Sequence, residues 1–272
     1  MINVKERQVN SYITKSKLPD ADYVINPYIG CTHKCIYCYA EFMKRFTNHS
    51  EDWGDFIDIK LTKNKINIKK ITGKSVLLGS VTDAYNPYEK KNQITRKILE
   101  QLINCNAHIE VLTKSDLVLR DIDLFKQIKS LRIGISLNTL DDNFRKLTEP
   151  HASSVDKRIN ALKTLHENGI ETYLFMSPIF PEITDFIEII KRTQNYVDLF
   201  CFENLNLRGG YLPRVMEFIN QHYNHLSEVY NKIYKRKDIG YWENLSEKIN
   251  DYCKENELNY KLYFYHEKIK KS

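Results

Sequence analysis

Cys31-Thr32-His33-Lys34-Cys35-Ile36-Tyr37-Cys38-Tyr39 gathers three cysteines at C-x3-C-x2-C spacing into eight residues, half of the six cysteines in the chain. Six in 272 residues is too thin for a disulfide framework, and a chain this long buries a core without staples. The spacing therefore asks for a metal. Three short side chains on one loop can turn toward one centre, but structural zinc normally takes four protein ligands. His33 is the local candidate for a fourth, at a spacing unlike the usual zinc patterns. An iron-sulfur cubane is the better fit, because three thiolates hold it and leave one iron open to a substrate or cosubstrate.

Outward from this loop, short β-prone runs alternate with amphipathic stretches. Tyr23-Val24-Ile25-Asn26 reads as a first strand that delivers the chain to the cysteines. After them Ala40, Phe42, Met43 and Phe46 recur at near-helical spacing. Residues 53–60 alternate like an extended segment, and the lysine-rich 60–74 reads as a connection plus helix. Ser75-Val76-Leu77-Leu78-Gly79 has the signature of a buried strand, and 94–103 that of an amphipathic helix. Further strands are expected at 108–112, 131–136, 171–176 and 198–202. Helical segments are expected near 116–129, 141–147, 155–168 and 182–193, with Gly169 as a C-cap. Six strands, each followed by a helix or loop, predict an α/β fold with a parallel sheet of βα units rather than a sandwich. The cysteine loop then lies at a strand's C-terminal end, where barrel enzymes place their chemistry.

Composition sets outer limits. Hydrophobic content of 42% is enough for a core, and 41 Lys and Arg against 35 Asp and Glu neither require nor exclude a nucleic-acid partner. Met1-Ile2-Asn3-Val4-Lys5-Glu6-Arg7 lacks the apolar region of a signal peptide, and no stretch approaches the ~20 apolar residues of a membrane span. A soluble, cytoplasmic protein without a membrane partner is expected. Residues 1–22 read as a polar lead-in loop with a proline turn at Pro19, and 23–210 as the βα core. Residues 211–272 read as an extension packing on it, with helices near 212–235 and 241–256 and the β-prone Tyr260-Lys261-Leu262-Tyr263-Phe264-Tyr265. Cys105 and Cys253 look structural, His222 and His225 look like a surface pair, and the lack of a second cysteine group argues against an auxiliary cluster.

Cys31, Cys35 and Cys38, followed by Tyr39-Ala40, resemble the signature of the radical S-adenosylmethionine (SAM) superfamily. Asn26-Pro27-Tyr28-Ile29-Gly30, Gly79-Ser80-Val81-Thr82-Asp83-Ala84-Tyr85-Asn86-Pro87 and Leu112-Thr113-Lys114-Ser115 are similar to its spore photoproduct lyase-like branch, a likeness covering roughly residues 8 to 210. The resemblance implies a partial (β/α)6 barrel of TIM type, open on one side. It implies that the three cysteines hold a 4Fe-4S cluster, which cleaves S-adenosyl-L-methionine to a 5′-deoxyadenosyl radical that abstracts hydrogen from a substrate. An external low-potential electron donor such as flavodoxin or ferredoxin is implied as well. The substrate stays open, as does the choice between lyase and transferase. Kinship with the lyase branch favours DNA or RNA. A non-catalytic iron-sulfur or zinc-binding module is the alternative, and it would not need an anion site opposite the cysteine loop.

By the same resemblance, Thr82 contacts the amino acid part of the cosubstrate, and Lys114 and Ser136 bind its carboxylate. A lysine suits such a place as a point charge on an anion. Tyr37 and Tyr39 flank the last cysteine, where aromatic rings would cover the cluster and the adenine. Tyrosines at the matching places of spore photoproduct lyases take part in hydrogen-atom return. The relay cysteine of those enzymes is matched here near Ser80, whose O–H bond is too strong to give hydrogen to a carbon radical, so dimer repair is not expected. Asp83 and Tyr85, in an Asp-x-Tyr-x-Pro variant, are the expected catalytic residues with Tyr39, and Asn86 is expected to face the cavity beside them. Asn138, after the fourth strand, is expected at the cofactor. Glu203, Asn204, Asn206 and Arg208 are expected at the cavity after the sixth, and Cys201 is weighed there as a hydrogen donor against a small buried hydrophobe.

Overall fold

The computed structural model describes residues 2–207 and 209–264. Its strands, in chain order, are β1 (Asn3–Gln8), β2 (Ile13–Lys15), β3 (Tyr23–Ile25), β4 (Tyr28–Ile29), β5 (Phe56–Leu61) and β6 (Ser75–Leu78). They continue as β7 (His108–Thr113), β8 (Leu131–Ser136), β9 (Glu171–Ile179), β10 (Leu199–Asn204) and β11 (Tyr260–Leu262). All six strands expected for the βα core are present and lie side by side as β3-β6-β7-β8-β9-β10, every neighbour parallel. The sheet is flanked by antiparallel β2 on one edge and by parallel β11 on the other, and among the described residues no ladder joins those edges. This is the partial barrel of the TIM type.

The two faces of the sheet differ in chemistry. On β7, Ile109, Val111 and Thr113 are buried, while His108, Glu110 and Leu112 are half-buried. Ile133 and Ile135, Leu174 and Met176, and Phe200 and Phe202 are buried likewise. Apolar stripes of the surrounding helices supply the rest of this core: Ile98, Leu99 and Leu102 from Ile94–Leu102, Ala161, Leu162 and Leu165 from Val155–Glu167, and Ile189 and Ile190 from Phe186–Thr193. Helix boundaries follow local caps. Ser154 accepts from the Lys157 amide and Asp185 from the Glu188 amide, and Gly169, at φ +74°, ends the helix before it.

Several segments differ from the sequence reading. The lead-in is not a loop throughout: β1 pairs in parallel with β5, and β2 adds to the barrel edge. Hydrogen-bonding demand explains it, since even a polar segment gains by pairing its backbone along an open edge. Together β1, β5 and β4 form a second, three-stranded sheet beside the cysteine loop. The lysine-rich connection holds one helical turn, Ile68–Ile71, and 116–129 is a 3-10 turn (Asp116–Asp121) followed by the short helix Ile122–Phe125. The expected helix after Cys38 is a 3-10 helix, Tyr39–Phe46. The expected helix near 212–235 is broken at Tyr223. Of the β-prone stretch at 260–265, Tyr260–Leu262 forms a strand and Tyr265 lies outside the described residues.

Gly134 on β8 shows how tightly the lumen is filled at one level, because a Cβ there would run into the Tyr173 ring. Gly134→Ala is expected to lower the unfolding free energy by about 1–3 kcal/mol in urea denaturation. Pairing it with Tyr173→Leu, which vacates that space, should recover part of the loss.

Candidate active site

The turn into the cysteine loop depends on Gly30, at φ +89°, where a Cβ would come within 2.5 Å of the Phe56 carbonyl oxygen. The Gly30 carbonyl accepts from Thr82 Oγ1 at 2.5 Å, and Asn26 pins the same region by donating to Ser80 Oγ at 3.0 Å and accepting from the Val81 amide at 3.1 Å. The loop after β3 is thus laced to the loop after β6. A second lacing comes from 148–153: the Ile36 amide donates to the Thr148 carbonyl, the His151 amide to that of His33, and the Ser153 amide to that of Lys114.

Asp83 sits where these elements meet. Its Oδ1 accepts from the Tyr85 amide at 2.8 Å and from Thr113 Oγ1 at 2.7 Å, and its Oδ2 accepts from the Lys114 amide at 2.8 Å, with His33 Nδ1 3.3 Å away. The carboxylate is therefore committed to holding the loop after β6, the end of β7 and the cysteine loop in one arrangement. Behind the cysteines a buried ion pair does the same for the opposite side. Arg158 donates to the Glu149 carboxylate, to the Ser136 carbonyl at 3.0 Å and to the Ser153 carbonyl at 2.9 Å, while the Tyr37 hydroxyl donates to the other Glu149 oxygen. Burial favours the neutral Glu149, yet Arg158, Lys114 and the Tyr37 hydroxyl prevail and hold its pKa below the ordinary glutamate value.

Between these braces lies a cavity of about 710 Å³ that runs from the cysteine loop down the barrel. Cys31, Cys35, Cys38, Tyr37, Tyr39, Thr82, Asp83, Lys114 and Ser136 all line it, as do Ser80, Cys201, Glu203, Asn204 and Asn206. Burial opposes charge on Lys114, but Cys35, Glu149 and Asp83 outweigh it and keep the ammonium more firmly protonated than usual. Lys114 Nζ stands 5.8 Å from the Tyr37 ring centroid. Burial pushes the Cys31 thiol up to about 12, with Asp83 and Cys38 adding to the effect, and it raises Cys35 and Cys38 as well. Three half-buried thiols of raised pKa need a cationic centre to become thiolates.

The surroundings suit a centre larger than one ion. Trp53 Nε1 donates to Cys38 Sγ at 3.2 Å, and the buried Thr32 hydroxyl, inside the loop, has no partner among the described residues. Both are donors available to inorganic sulfide or thiolate sulfur. His33 is directed at Asp83 rather than kept for a metal. The residues therefore fit a three-thiolate cluster.

Three residues expected at the cavity do not line it. Tyr85 is fully buried and points away, donating to Asp121 Oδ2 at 2.9 Å beneath Arg120; its phenol serves the core between helices. Asn86 caps the turn, donating to the Asp83 carbonyl and accepting from the Tyr88 amide. Asn138 is buried off the cavity and donates to the Pro178 carbonyl at 3.1 Å, with its Oδ1 unpartnered among the described residues. All three lie on turns beyond a strand end, where hydrogen bonds of the turn rather than strand alternation set the side-chain direction. Arg208 lies outside the described residues. Cys201 reaches the cavity, its thiol pushed up to about 12 by burial and then by Glu110.

Sequence reasoning missed Glu149, Arg158 and the cavity floor, where Asp20 meets Lys261 at 3.5 Å and the Tyr263 hydroxyl. One signal was available. Arg158 stands in the apolar stripe Val155, Ala161, Leu162 and Leu165, and a cation there needs a buried partner. Asp20 and Lys261 lie too far apart in sequence for any pattern to join them.

Known proteins resemble this chain in sequence or in fold. The family model described as the Radical SAM superfamily matches residues 25–192. An uncharacterized protein of Methanocaldococcus jannaschii is 43% identical over 240 residues, covering 84% of this chain and 91% of its own. Another, of Acidianus two-tailed virus, is 30% identical over 171 residues, covering 58% of this chain and 56% of its own. A spore photoproduct lyase complexed with dinucleoside spore photoproduct is similar in fold, with a TM-score of 0.59 at 18% identity over 81% of this chain and 66% of its own. Streptococcus suis SuiB bound to S-adenosylmethionine has a TM-score of 0.58 at 19% identity, covering 88% of this chain and 49% of its own. This chain thus spans just under two thirds of the lyase and about half of SuiB, and at such identity the likeness is one of fold. No helix among the described residues is long and apolar enough to cross a membrane.

The Glu149–Arg158 pair yields a stability test. Arg158→Met strands the carboxylate and is expected to lower the unfolding free energy by about 3–5 kcal/mol at neutral pH. Because the folded-state pKa of Glu149 is depressed, the pair's contribution is complete above the ordinary glutamate pKa and is lost as pH falls through the depressed value. The difference between variant and parent in urea denaturation should therefore shrink in acid.

Proposed function

This chain belongs to the radical SAM superfamily, and on that premise we propose that it is an enzyme that generates a 5′-deoxyadenosyl radical and takes a hydrogen atom from a nucleic-acid substrate. A 4Fe-4S cluster held by Cys31, Cys35 and Cys38 would supply the single electron that breaks a carbon-sulfur bond of S-adenosyl-L-methionine. The observation that carries the reading is that these cysteines open onto the same cavity as Thr82, Lys114 and Ser136.

Within that cavity Lys114 provides the charge for a carboxylate, and Ser136 and Thr82 provide hydroxyls beside it. Ser136 Oγ donates to the Ser177 carbonyl at 3.2 Å and Thr82 Oγ1 to that of Gly30, so each keeps lone pairs to accept from an ammonium. Tyr37 shields one flank of the loop. Asp83 acts by fixing His33, Thr113 and the Lys114 backbone, a positioning role rather than a catalytic one. Tyr39, beside the cavity with its hydroxyl on the Ser80 carbonyl, is the residue best set for a part in hydrogen transfer. The electron comes from an external low-potential donor of the flavodoxin or ferredoxin kind. The dinucleoside spore photoproduct bound by the lyase neighbour supports the nucleic-acid class, while Ser80 in place of the relay cysteine speaks for a reaction other than dimer repair.

The test is anaerobic reconstitution followed by addition of S-adenosyl-L-methionine and dithionite. 5′-Deoxyadenosine is expected from the parent and none from Cys35→Ala. Lys114→Met should retain iron and sulfide but bind the cosubstrate at least tenfold more weakly by equilibrium dialysis. A fully loaded parent that forms no 5′-deoxyadenosine would sink the reading.

A further inference from the structure

The helix that leaves the cysteine loop carries an aromatic row left open to solvent by the described residues. Tyr39, Phe42 and Phe46 are 51%, 45% and 58% exposed, whereas the other exposed large apolar side chains among the described residues are Val4, Ile239 and the pair Leu140 and Leu147 around one short helix. Exposed rings grouped on one short helix at a cavity rim point to a binding surface. Helix type sets their arrangement. In a 3-10 helix, residues three apart eclipse one another, about 6 Å along the axis. Tyr39, Phe42 and Arg45 therefore share one row, with Phe46 next to Arg45. The Arg45 guanidinium lies 5.6 Å from the Phe42 ring centroid and 4.7 Å from that of Phe46. Tyr39 is held by its hydroxyl on the Ser80 carbonyl.

The row leads inward. Tyr39 and Phe42 line the cavity that the three cysteines share, while Arg45 and Phe46 lie outside it. We propose that this row is a stacking shelf for unpaired bases of a single-stranded nucleic acid, which delivers one base past Phe42 and Tyr39 into the barrel. The proposal rests on the preceding reading of the cavity as a radical enzyme's active site.

Charge separates this occupant from a duplex. Lys34 is paired with Asp55 at 2.7 Å, Lys44 with Asp52 at 3.3 Å and Arg214 with Glu41 at 2.8 Å. Arg45 is different, because among the described residues no carboxylate pairs with it and its partners are rings. A duplex is gripped chiefly by cations along its phosphates and hides its base faces, whereas unpaired bases offer π-faces to aromatic rings and guanidinium planes. Two rings in line with one unpaired cation, and a third ring beside that cation, fit the second partner. Salt dependence should accordingly be shallow, with a slope near −1 in log affinity against log salt, far from the slope of about −6 or steeper for a many-phosphate contact.

The test is fluorescence anisotropy of the reconstituted full-length protein with a fluorescein-labelled 12-mer, as single-stranded DNA, single-stranded RNA and DNA duplex, at two salt concentrations. At least one single strand is expected to bind tenfold or more tightly than the duplex. Phe42→Ala and Phe46→Ala should each weaken that binding about tenfold, Arg45→Ala should weaken it and flatten the salt slope, and Phe42→Trp should restore stacking. These side chains are exposed, so circular dichroism should register no loss of fold. Tighter binding of the duplex, a steep salt slope, alanine variants that bind like the parent, or no binding at all would each overturn the proposal. A flavodoxin bound through the same residues, with oligonucleotide affinity untouched by the substitutions, would instead assign the row to an electron-donating protein. 5′-Deoxyadenosine formation without oligonucleotide, measured in the same preparation, separates the two readings. If it occurs while no strand binds, the shelf alone fails; if a strand binds and it does not occur, the enzyme reading alone fails.

Discussion

One carboxylate, that of Asp83, holds the site together. Taking in the Thr113 hydroxyl, the Lys114 and Tyr85 amides and the His33 ring, it fixes the loop after β6 against the end of β7 and against the cysteine loop. A buried carboxylate is tolerated when several donors satisfy it, and here those donors belong to separate elements, so satisfying the charge also sets their relative positions. Glu149 and Arg158 repeat the device behind the cysteines, where the Tyr37 hydroxyl and the Ser136 and Ser153 carbonyls complete the network. Without such braces, three thiols on a short loop would face one another with nothing to determine their orientation.

The barrel itself is arranged around an opening. Its outer face is sealed by helices, with Ile109, Val111, Ile133, Ile135, Leu174 and Phe202 buried beneath them, while its inner face presents Glu110, Arg132, Cys201, Glu203 and Lys261 to the cavity. A filled lumen would have required apolar side chains at these positions. At the floor, Asp20 from early in the chain meets Lys261 and Tyr263 from late in it, so the two unladdered edges are bridged by side chains. The cavity lining and the closure between the edges are supplied by the same residues.

Much of this was legible in the sequence for a physical reason: the outward side chains of the parallel strands are buried under helices and several inward ones, Leu77, Leu112 and Phe175 among them, are apolar too, so Ser75-Val76-Leu77-Leu78 and its counterparts read as apolar runs between amphipathic helices. The three-cysteine group was legible because its members are local in sequence. Tyr85 was misread because its neighbours in sequence, Asp83 and Thr82, do face the cavity, and the turn that carries it away is settled by hydrogen bonds to Asp121 and Thr95 side chains far along the chain. The lead-in strands were missed because Asn3–Gln8 is polar, and its pairing depends on the free edge of β5.

The family, the order of the βα units and the three-cysteine loop were already written in the linear chain, since each rests on residues within short windows. Which charges meet was settled only by packing. Arg158 finds Glu149, His33 finds Asp83 and Asp20 finds Lys261 once strands and helices have come together. Packing also settled that the segment after Cys38 winds as a 3-10 helix, which puts Tyr39, Phe42 and Arg45 in one row where an α-helix would have turned Arg45 away. Local pattern carries propensity and spacing; the long-range contacts that give a side chain its partner are formed by the fold.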